Sequence, residues 1–415
     1  MSVARVMFID ATEAATGPAS KTGTFGRVTC ESHREIGPRT ATARASIDAR
    51  DRAVGAGEDR THPIDASSAP SIARALREQD PSLSAVCILS IATGDAGRRM
   101  HWLDAEHACG WIEPAVSRET DDIVSDIGPD IYEIARRCDA ALARGFVAAD
   151  AVLLGCADDE MPRLSWGPRP TFAARRAASK DREIGLYAIV DNAKKLRFAI
   201  DAGVTTVQLR VKRPVDADAR WEAMLRNELA DCAVAARRGS AELVVNDHWR
   251  LAAELGVGSV HLGQEDLLAL GDADRAALTA SGVRLGVSSH SVWELCRARS
   301  LDLRYIACGP VWPTTTKAMP WRAQGPDNLR WWCRNAAAPV VAIGGILEPA
   351  QAYLAALSGA DGVCLVRALG DDPGKVVPAF RDAFDRGRSD RSIIDAPVER
   401  WPHPTLPTLP SPDGG

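Results

Sequence analysis

Between Gly185 and Arg386 the chain alternates eight short apolar stretches with amphipathic ones, and few folds accommodate that order. The apolar stretches read LYAIVD, TTVQLRVK, ELVVND, SVHLGQ, RLGVSS, YIACGPV, VVAIGG and DGVCLVRAL. Between them lie segments such as AKKLRFAIDAG, SVWELCRARS and EPAQAYLAALSG. Short apolar runs predict buried strands, and the interleaved segments predict helices, several closed by Gly. Strands covered by helices on both faces pair in parallel. Eight such units over about 200 residues predict an α/β fold, a (β/α)8 TIM barrel over 183–387. An open doubly wound sheet is the competing architecture. It needs a Gly-rich nucleotide turn after an early strand, and no GxGxxG follows LYAIVD.

The rest of the 415 residues is less patterned. Residues 1–70 are rich in Ala, Gly, Ser, Thr, Arg and Asp without periodicity and are expected to be disordered. Residues 71–163 carry SAVCILSIATG and the helical pattern DIYEIARRCDAALARG, which predict a smaller α/β extension. Residues 164–182 read as a linker, and 388–415 as a Pro-rich tail with no core to join. A net charge of −5 gives no basic signature, so nucleic acid is not an expected partner. The ten cysteines form no CxxC pair and read as reduced thiols of a cytoplasmic protein. No apolar run approaches the roughly 20 residues of a membrane span. The opening stretch MSVARVMFIDATEAATG lacks the apolar core of a secretory signal. Whether the chain forms a homo-oligomer stays open.

A barrel of this kind places its active site at the C-terminal ends of the strands. In VQLRVK, Gln208, Arg210 and Lys212 recur with period two, which predicts one face carrying an amide and two cations. That is an anion site, or else the charged outer face of a half-exposed strand. Asn246–Asp247 and Glu265–Asp266 end neighbouring strands. Asp247 and Asp266 facing those cations suit a magnesium ion shared with a phosphate-bearing ligand. Each Asp also precedes a helix, so N-capping is the other reading. His261 reads as packed or hydrogen-bonded rather than as a ligand. Ser288 ends another strand and suits a phosphate donor or a helix cap, and nothing assigns it a catalytic base. Gly344–Gly345 and Val366–Arg367 fall after the last two strands, where backbone N–H groups hold phosphate in such barrels. Thr314, Thr315, Thr316 and Lys317 lie on a loop between two prolines, with Pro320 and Trp321 beyond them.

VQLRVK, VVNDHWRLAAELGVGSVHLGQED, LGVSSH, YIACGPVWPTTTK, AIGGI and GADGVCLV together resemble the thiamine-phosphate synthase family, in order and at the expected strand ends. The resemblance covers Gly185–Arg386, about half of the chain. It implies a transferase of thiamine biosynthesis that joins 4-amino-2-methyl-5-pyrimidinylmethyl diphosphate to a thiazole phosphate and releases pyrophosphate. By the same resemblance, Gln208, Arg210, Lys212 and Asn246 bind the pyrimidine diphosphate, and Asp247 and Asp266 hold Mg2+. Ser288 and Lys317 contact the diphosphate. Thr314, Thr315 and Thr316 contact the thiazole phosphate, with Gly345, Val366 and Arg367 completing that site. Arg210, Lys212, Ser288 and Lys317 are the catalytic set, acting by charge and position in a dissociative displacement. One position departs: the family commonly has Ser where Arg367 stands. MHWLDAEHACGWIE and DAALARGFVAADAVLLGCA look like pieces of phosphomethylpyrimidine kinase. Its Gly-rich anion site is missing here, and Asp126 and Asp130 would repel phosphate, which implies a degenerate remnant without kinase activity. An unrelated extension is the plainer reading. A thiazole tautomerase and a non-catalytic regulatory ligand-binding protein are the other functional readings.

Overall fold

The computed structural model describes residues 4–11, 27–31, 64–93, 99–115, 131–174, 183–315, 319–391 and 399–406. They fall into two units. One comprises 1–172 with 291–300 and 406–415, the other 173–290 with 301–405.

In the N-terminal unit the strands are β1 (Arg5–Asp10), β2 (Arg27–Glu31), β3 (Leu83–Ala92), β4 (Arg99–Ala105), β5 (Cys109–Glu113) and β6 (Arg163–Leu164). They form one sheet in the order β2-β1-β3-β4-β5-β6, in which only β1 and β3 run parallel. Its helices are α1 (Ala69–Gln79), α2 (Ile131–Ala143) and α3 (Ala148–Gly155). Ile9, Val86, Ile88, Trp102 and Trp111 form its core on one face of the sheet. β1 lies inside the stretch expected to be disordered. Its apolar residues Val6, Phe8 and Ile9 are buried, and the parallel pairing with β3 gives the segment a place that six residues of sequence do not reveal. Asp126 and Asp130 lie outside the described residues.

Asp150 is the unusual residue of this unit. It is buried, and its Oδ1 accepts from the Trp293 N–H, 2.8 Å away, in the first turn of the helix Val292–Ala298. Burial raises its carboxyl to about 8, helped by Glu294 and opposed by the helix N–H groups. The folded chain therefore keeps a proton that the unfolded chain loses near 3.8. The unfolded state then binds fewer protons, so this group makes stability fall as pH rises from about 4 to about 8. Asp150→Asn keeps the acceptor and removes the titration. It should raise stability by on the order of 2 kcal/mol near neutrality and flatten the urea midpoint against pH over that window. A variant no more stable than the parent at pH 8 would contradict this.

The C-terminal unit is a closed barrel of eight parallel strands: β7 (Gly185–Val190), β8 (Thr206–Leu209), β9 (Glu242–Asn246), β10 (Ser259–Leu262), β11 (Arg284–Ser289), β12 (Leu303–Cys308), β13 (Val340–Ala342) and β14 (Gly362–Leu365). Each pairs with its sequence neighbours, and Gly362 opposite Gly185 closes the ring. The helices are α4 (Ala193–Asp201), α5 (Ala219–Arg238), α6 (Trp249–Glu254), α7 (Gln264–Ala269), α8 (Asp272–Ala280), α9 (Val292–Ala298), α10 (Gly325–Asn335), α11 (Pro349–Leu357) and α12 (Pro373–Arg391), with α9 grouped in the first unit. Their starts follow local chemistry. Asn192 and Asp218 each accept a backbone N–H of the first turn at 2.9 Å. Ile184, Tyr187, Val244, Tyr305, Ala307, Val341 and Cys364 fill the barrel. At the N-terminal ends of the strands, Glu242 accepts from Ser259 at 2.7 Å and pairs with Arg284 at 2.9 Å and Arg304 at 3.0 Å, tying β9 to β12.

The barrel forecast is thus met. The final helix runs past residue 387, and the tail differs from expectation. His403 and Asn328 exchange two hydrogen bonds, and Trp331 Nε1 donates to the Arg400 carbonyl at 3.1 Å. Pro402 and Pro404 have no N–H to satisfy, so the side chains of α10 can hold this segment with few bonds. No described helix is long and apolar enough to cross a membrane, and the nine cysteines whose side chains are described are free thiols.

Candidate active site

The C-terminal strand ends gather most of the polar residues singled out above. On β8, Gln208 is buried and points into the barrel chemistry, its Nε2 donating to the Tyr187 hydroxyl at 2.8 Å. Arg210 follows, its N–H still held by the Val190 carbonyl at 2.8 Å. The strand stops there. Lys212 is exposed in the next loop, so the period-two face expected from VQLRVK extends only to Arg210. The repeat was real in sequence, but β7 offers no partner carbonyl beyond Val190 to keep the strand going.

Asn246 ends β9 and is buried. Asp247 follows with φ of 65°, a left-handed conformation that Asp tolerates better than most residues. Its N–H donates to the His261 carbonyl at 3.0 Å. His248, not Asp247, occupies the N-cap of α6, so the capping reading does not account for this carboxylate. Burial raises the Asp247 carboxyl above the usual range, and the charge of Asp266 raises it further, against the pull of His248, Arg210 and Asn246. The two carboxylates and Arg210 therefore share one electrostatic neighbourhood. Asp266 does cap: its Oδ2 accepts from the Gly263 N–H at 3.2 Å while its charge bears on Asp247.

Behind these ends runs a polar chain, buried at Gln208, Tyr187 and Tyr305 and half-buried at His261 and Ser288. Ser288 Oγ lies 3.0 Å from His261 Nε2, and His261 Nδ1 lies 2.9 Å from the Tyr305 hydroxyl. That hydroxyl is 2.7 Å from the Tyr187 hydroxyl, which Gln208 also reaches. Burial lowers His261 to about 4, with Arg210 and His290 adding to the effect, so the ring is neutral near pH 7. The second ring nitrogen faces a phenol rather than a carboxylate, so Ser288 and His261 do not make a hydrolase triad. Neither tyrosine was singled out in sequence. The only available signal was a hydroxyl-bearing ring among the aliphatic residues of LYAIVD and YIACGPV.

At the ends of β12 to β14 the backbone is crowded. Gly344 and Gly345 have φ of 91° and 72°. A Cβ on Gly345 would lie 2.5 Å from the Trp312 carbonyl oxygen and 2.7 Å from that of Pro313. The Trp312 N–H in turn donates to the Gly344 carbonyl at 3.0 Å. The glycine pair thereby lets the threonine-bearing loop lie directly on the β13 end. Arg367 Nη1 donates to Thr315 Oγ1 at 3.2 Å, so the residue that departs from the family pattern reaches that same loop. Val366 is exposed at the start of a short 3-10 turn, and Thr314 is half-buried. Thr316 and Lys317 lie outside the described residues. Beyond them Trp321 stacks on His290 at 5.3 Å, and Gln324 Nε2 donates to the His290 carbonyl at 2.9 Å.

A family model described as thiamine monophosphate synthase matches residues 186–369. A thiamine-phosphate synthase of Neisseria meningitidis serogroup B is 46% identical over 203 residues, which are 48% of this chain and 94% of that protein. One from Rhizobium etli is 41% identical over 188 residues, 45% of this chain and 87% of that protein. Among solved structures, a thiamine phosphate pyrophosphorylase from Pyrococcus furiosus is 26% identical with a TM-score of 0.43, covering 50% of this chain and 98% of that one.

Proposed function

The chain belongs to the thiamine-phosphate synthase family, and from that premise we propose how its barrel residues divide the work. The activity is a transfer: the pyrimidinylmethyl group passes from its diphosphate to the nitrogen of a thiazole phosphate, giving thiamine phosphate and pyrophosphate. The observation that carries the residue assignment is the shared neighbourhood of Arg210, Asp247 and Asp266 at three adjacent strand ends. In this reading Gln208, Arg210, Lys212 and Asn246 bind the pyrimidine diphosphate. Ser288 and Lys317 contact its phosphates. Thr314, Thr315 and Thr316 with Gly345, Val366 and Arg367 hold the thiazole phosphate.

Two neighbouring carboxylates, the charge of Asp266 raising the proton affinity of Asp247, suit a hard divalent cation. Asp247 and Asp266 would hold Mg2+, which commonly takes one or two carboxylates and completes its shell with water and phosphate. When bound, the ion neutralises charge on the departing pyrophosphate. Arg210 and Lys212 add positive charge on the same side as the C–O bond breaks. The aminopyrimidine stabilises the resulting methylene cation, and the thiazole nitrogen captures it. No protein nucleophile is required, in keeping with a site of donors and cations that works by position and preorganised charge. A tautomerase acting on thiazole phosphate alone would have no use for the Arg210–Asp247–Asp266 group. The cytoplasm, where these thiols stay reduced, is the proposed location.

The test is direct. Purified full-length protein with Mg2+ and both substrates should release one pyrophosphate per thiamine phosphate formed. Absence of release with substrates that a relative turns over would sink this assignment.

Residues 71–163 are proposed to be a kinase-derived extension without kinase activity, carried by the β4–β5 hairpin and the α2–α3 pair that hold the two similar segments. ATP-dependent phosphorylation of the hydroxymethylpyrimidine phosphate by the purified protein would overturn this.

A further inference from the structure

The barrel interior holds polar groups that binding of either substrate does not by itself explain. Tyr187 and Tyr305 are both almost fully buried, among aliphatic side chains, with their hydroxyls in contact. Room for them is built in. A Cβ on Gly286 would lie 2.2 Å from Tyr305 Cζ, so β11 dispenses with a side chain where that ring crosses it.

Counting hydrogens fixes the direction of the chain. Gln208 Nε2 has only hydrogens to offer, so the Tyr187 oxygen accepts. Tyr187 has one hydrogen. Its remaining hydrogen-bond partner among the described residues is the Tyr305 hydroxyl, so that is where it goes. The opposite choice would leave a buried O–H without an acceptor, which is costly. Tyr305, having accepted, spends its own hydrogen on His261 Nδ1. A neutral imidazole that accepts at Nδ1 carries its proton on Nε2, and Nε2–H faces Ser288 Oγ. Ser288 Oγ accepts from His261, which leaves its own hydrogen to point elsewhere.

We propose that His261 is a positioning residue of the transfer reaction, the last link in a one-way chain of donation Gln208 → Tyr187 → Tyr305 → His261 → Ser288. The chain acts at both ends. It commits the Gln208 amide nitrogen to Tyr187, so the amide cannot flip and its oxygen is what the substrate meets. It makes Ser288 an obligate donor, which suits an anionic diphosphate oxygen and not a second donor. The two ends belong to different strands, β8 and β11, so the chain also couples their side-chain orientations across the barrel. The proposal rests on the assignment of Gln208 and Ser288 to the pyrimidine diphosphate.

The experiment has two arms on the full-length protein. In the first, 15N spectra of histidine-labelled protein without substrate read the His261 tautomer. The expected form is neutral with the proton on Nε2, and an Nδ1–H ring would reverse the chain and overturn the proposal. This arm needs no fold-altering change, since assignment against Ser288→Ala suffices. In the second, Tyr305→Phe removes one hydroxyl and no ring volume. Its kcat should fall about tenfold, with KM for thiazole phosphate within about twofold of the parent, because the loss falls on groups that meet the diphosphate. A merely structural role for the hydroxyl would lower stability without that split, and a Tyr305→Phe enzyme with parental kcat would overturn the proposal. Should the parent itself release no pyrophosphate, the reaction assignment fails instead, and the tautomer still decides the chain.

Discussion

Replacing Asp247 by Asn should lower kcat/KM about a hundredfold while leaving the urea midpoint equal to or above that of the parent. The two halves of this expectation come from the same observation. The Asp247 carboxyl is raised by burial and by the charge of Asp266, so its ionised form is a cost to the folded protein in the absence of a cation. Removing that charge relieves the cost. The same charge is what a magnesium ion and the diphosphate behind it would need. Asn also tolerates the φ of 65° at this position, so the change tests charge rather than backbone strain. Asp247→Ala should lose as much turnover but also about 1 kcal/mol of stability, because Ala does not favour that conformation. Pyrophosphate release measured across a magnesium titration, with urea unfolding alongside, separates these effects. An Asn variant with parental turnover would remove Asp247 from the metal site.

Gly345→Ala should raise KM for thiazole phosphate at least about tenfold and cost about 2 kcal/mol of stability. The added methyl would meet the carbonyl oxygens of Trp312 and Pro313 at 2.5 and 2.7 Å, and backbone has no rotamer with which to retreat. The loop bearing Thr314 and Thr315 must therefore lift from the end of β13. Gly256→Ala provides the control. Its φ of 69° is similar, yet nothing lies within 4 Å of a Cβ there. It should lose about 1 kcal/mol and leave both KM values unchanged. If Gly345→Ala behaved like Gly256→Ala, the close packing of loop on strand end would have no part in binding the acceptor phosphate.

The barrel was legible because its signal is redundant. Eight apolar runs at regular spacing each point to the same architecture, and an error in one would not change the answer. The site was partly legible for a related reason. Residues at strand ends inherit their position from the barrel, so Gln208, Arg210, Asp247, Asp266 and Ser288 could be grouped before any distance was known. Lys212 shows the limit. Alternation in VQLRVK continues past the point where β7 stops supplying partners, and a sequence does not state where its neighbouring strand ends. The same limit hid β1, whose six residues become a strand by pairing with β3, more than seventy positions away. It also hid the docking of Arg400–Thr405, where prolines read as a tail until α10 supplies the bonds.

What the sequence determined by itself was the alternation of strand and helix, hence the barrel, and the residue types available at its C-terminal rim. These follow from local periodicity and from the rule that such strands close in parallel. Tertiary structure alone decided which of those residues meet. Tyr187, Gln208, His261, Ser288 and Tyr305 lie on five different strands of the ring and come within hydrogen-bond reach as a chain only because β7 closes on β14. The direction of donation among them depends on which atom faces which. That information lies in the pairing of distant strands, and no local pattern carries it.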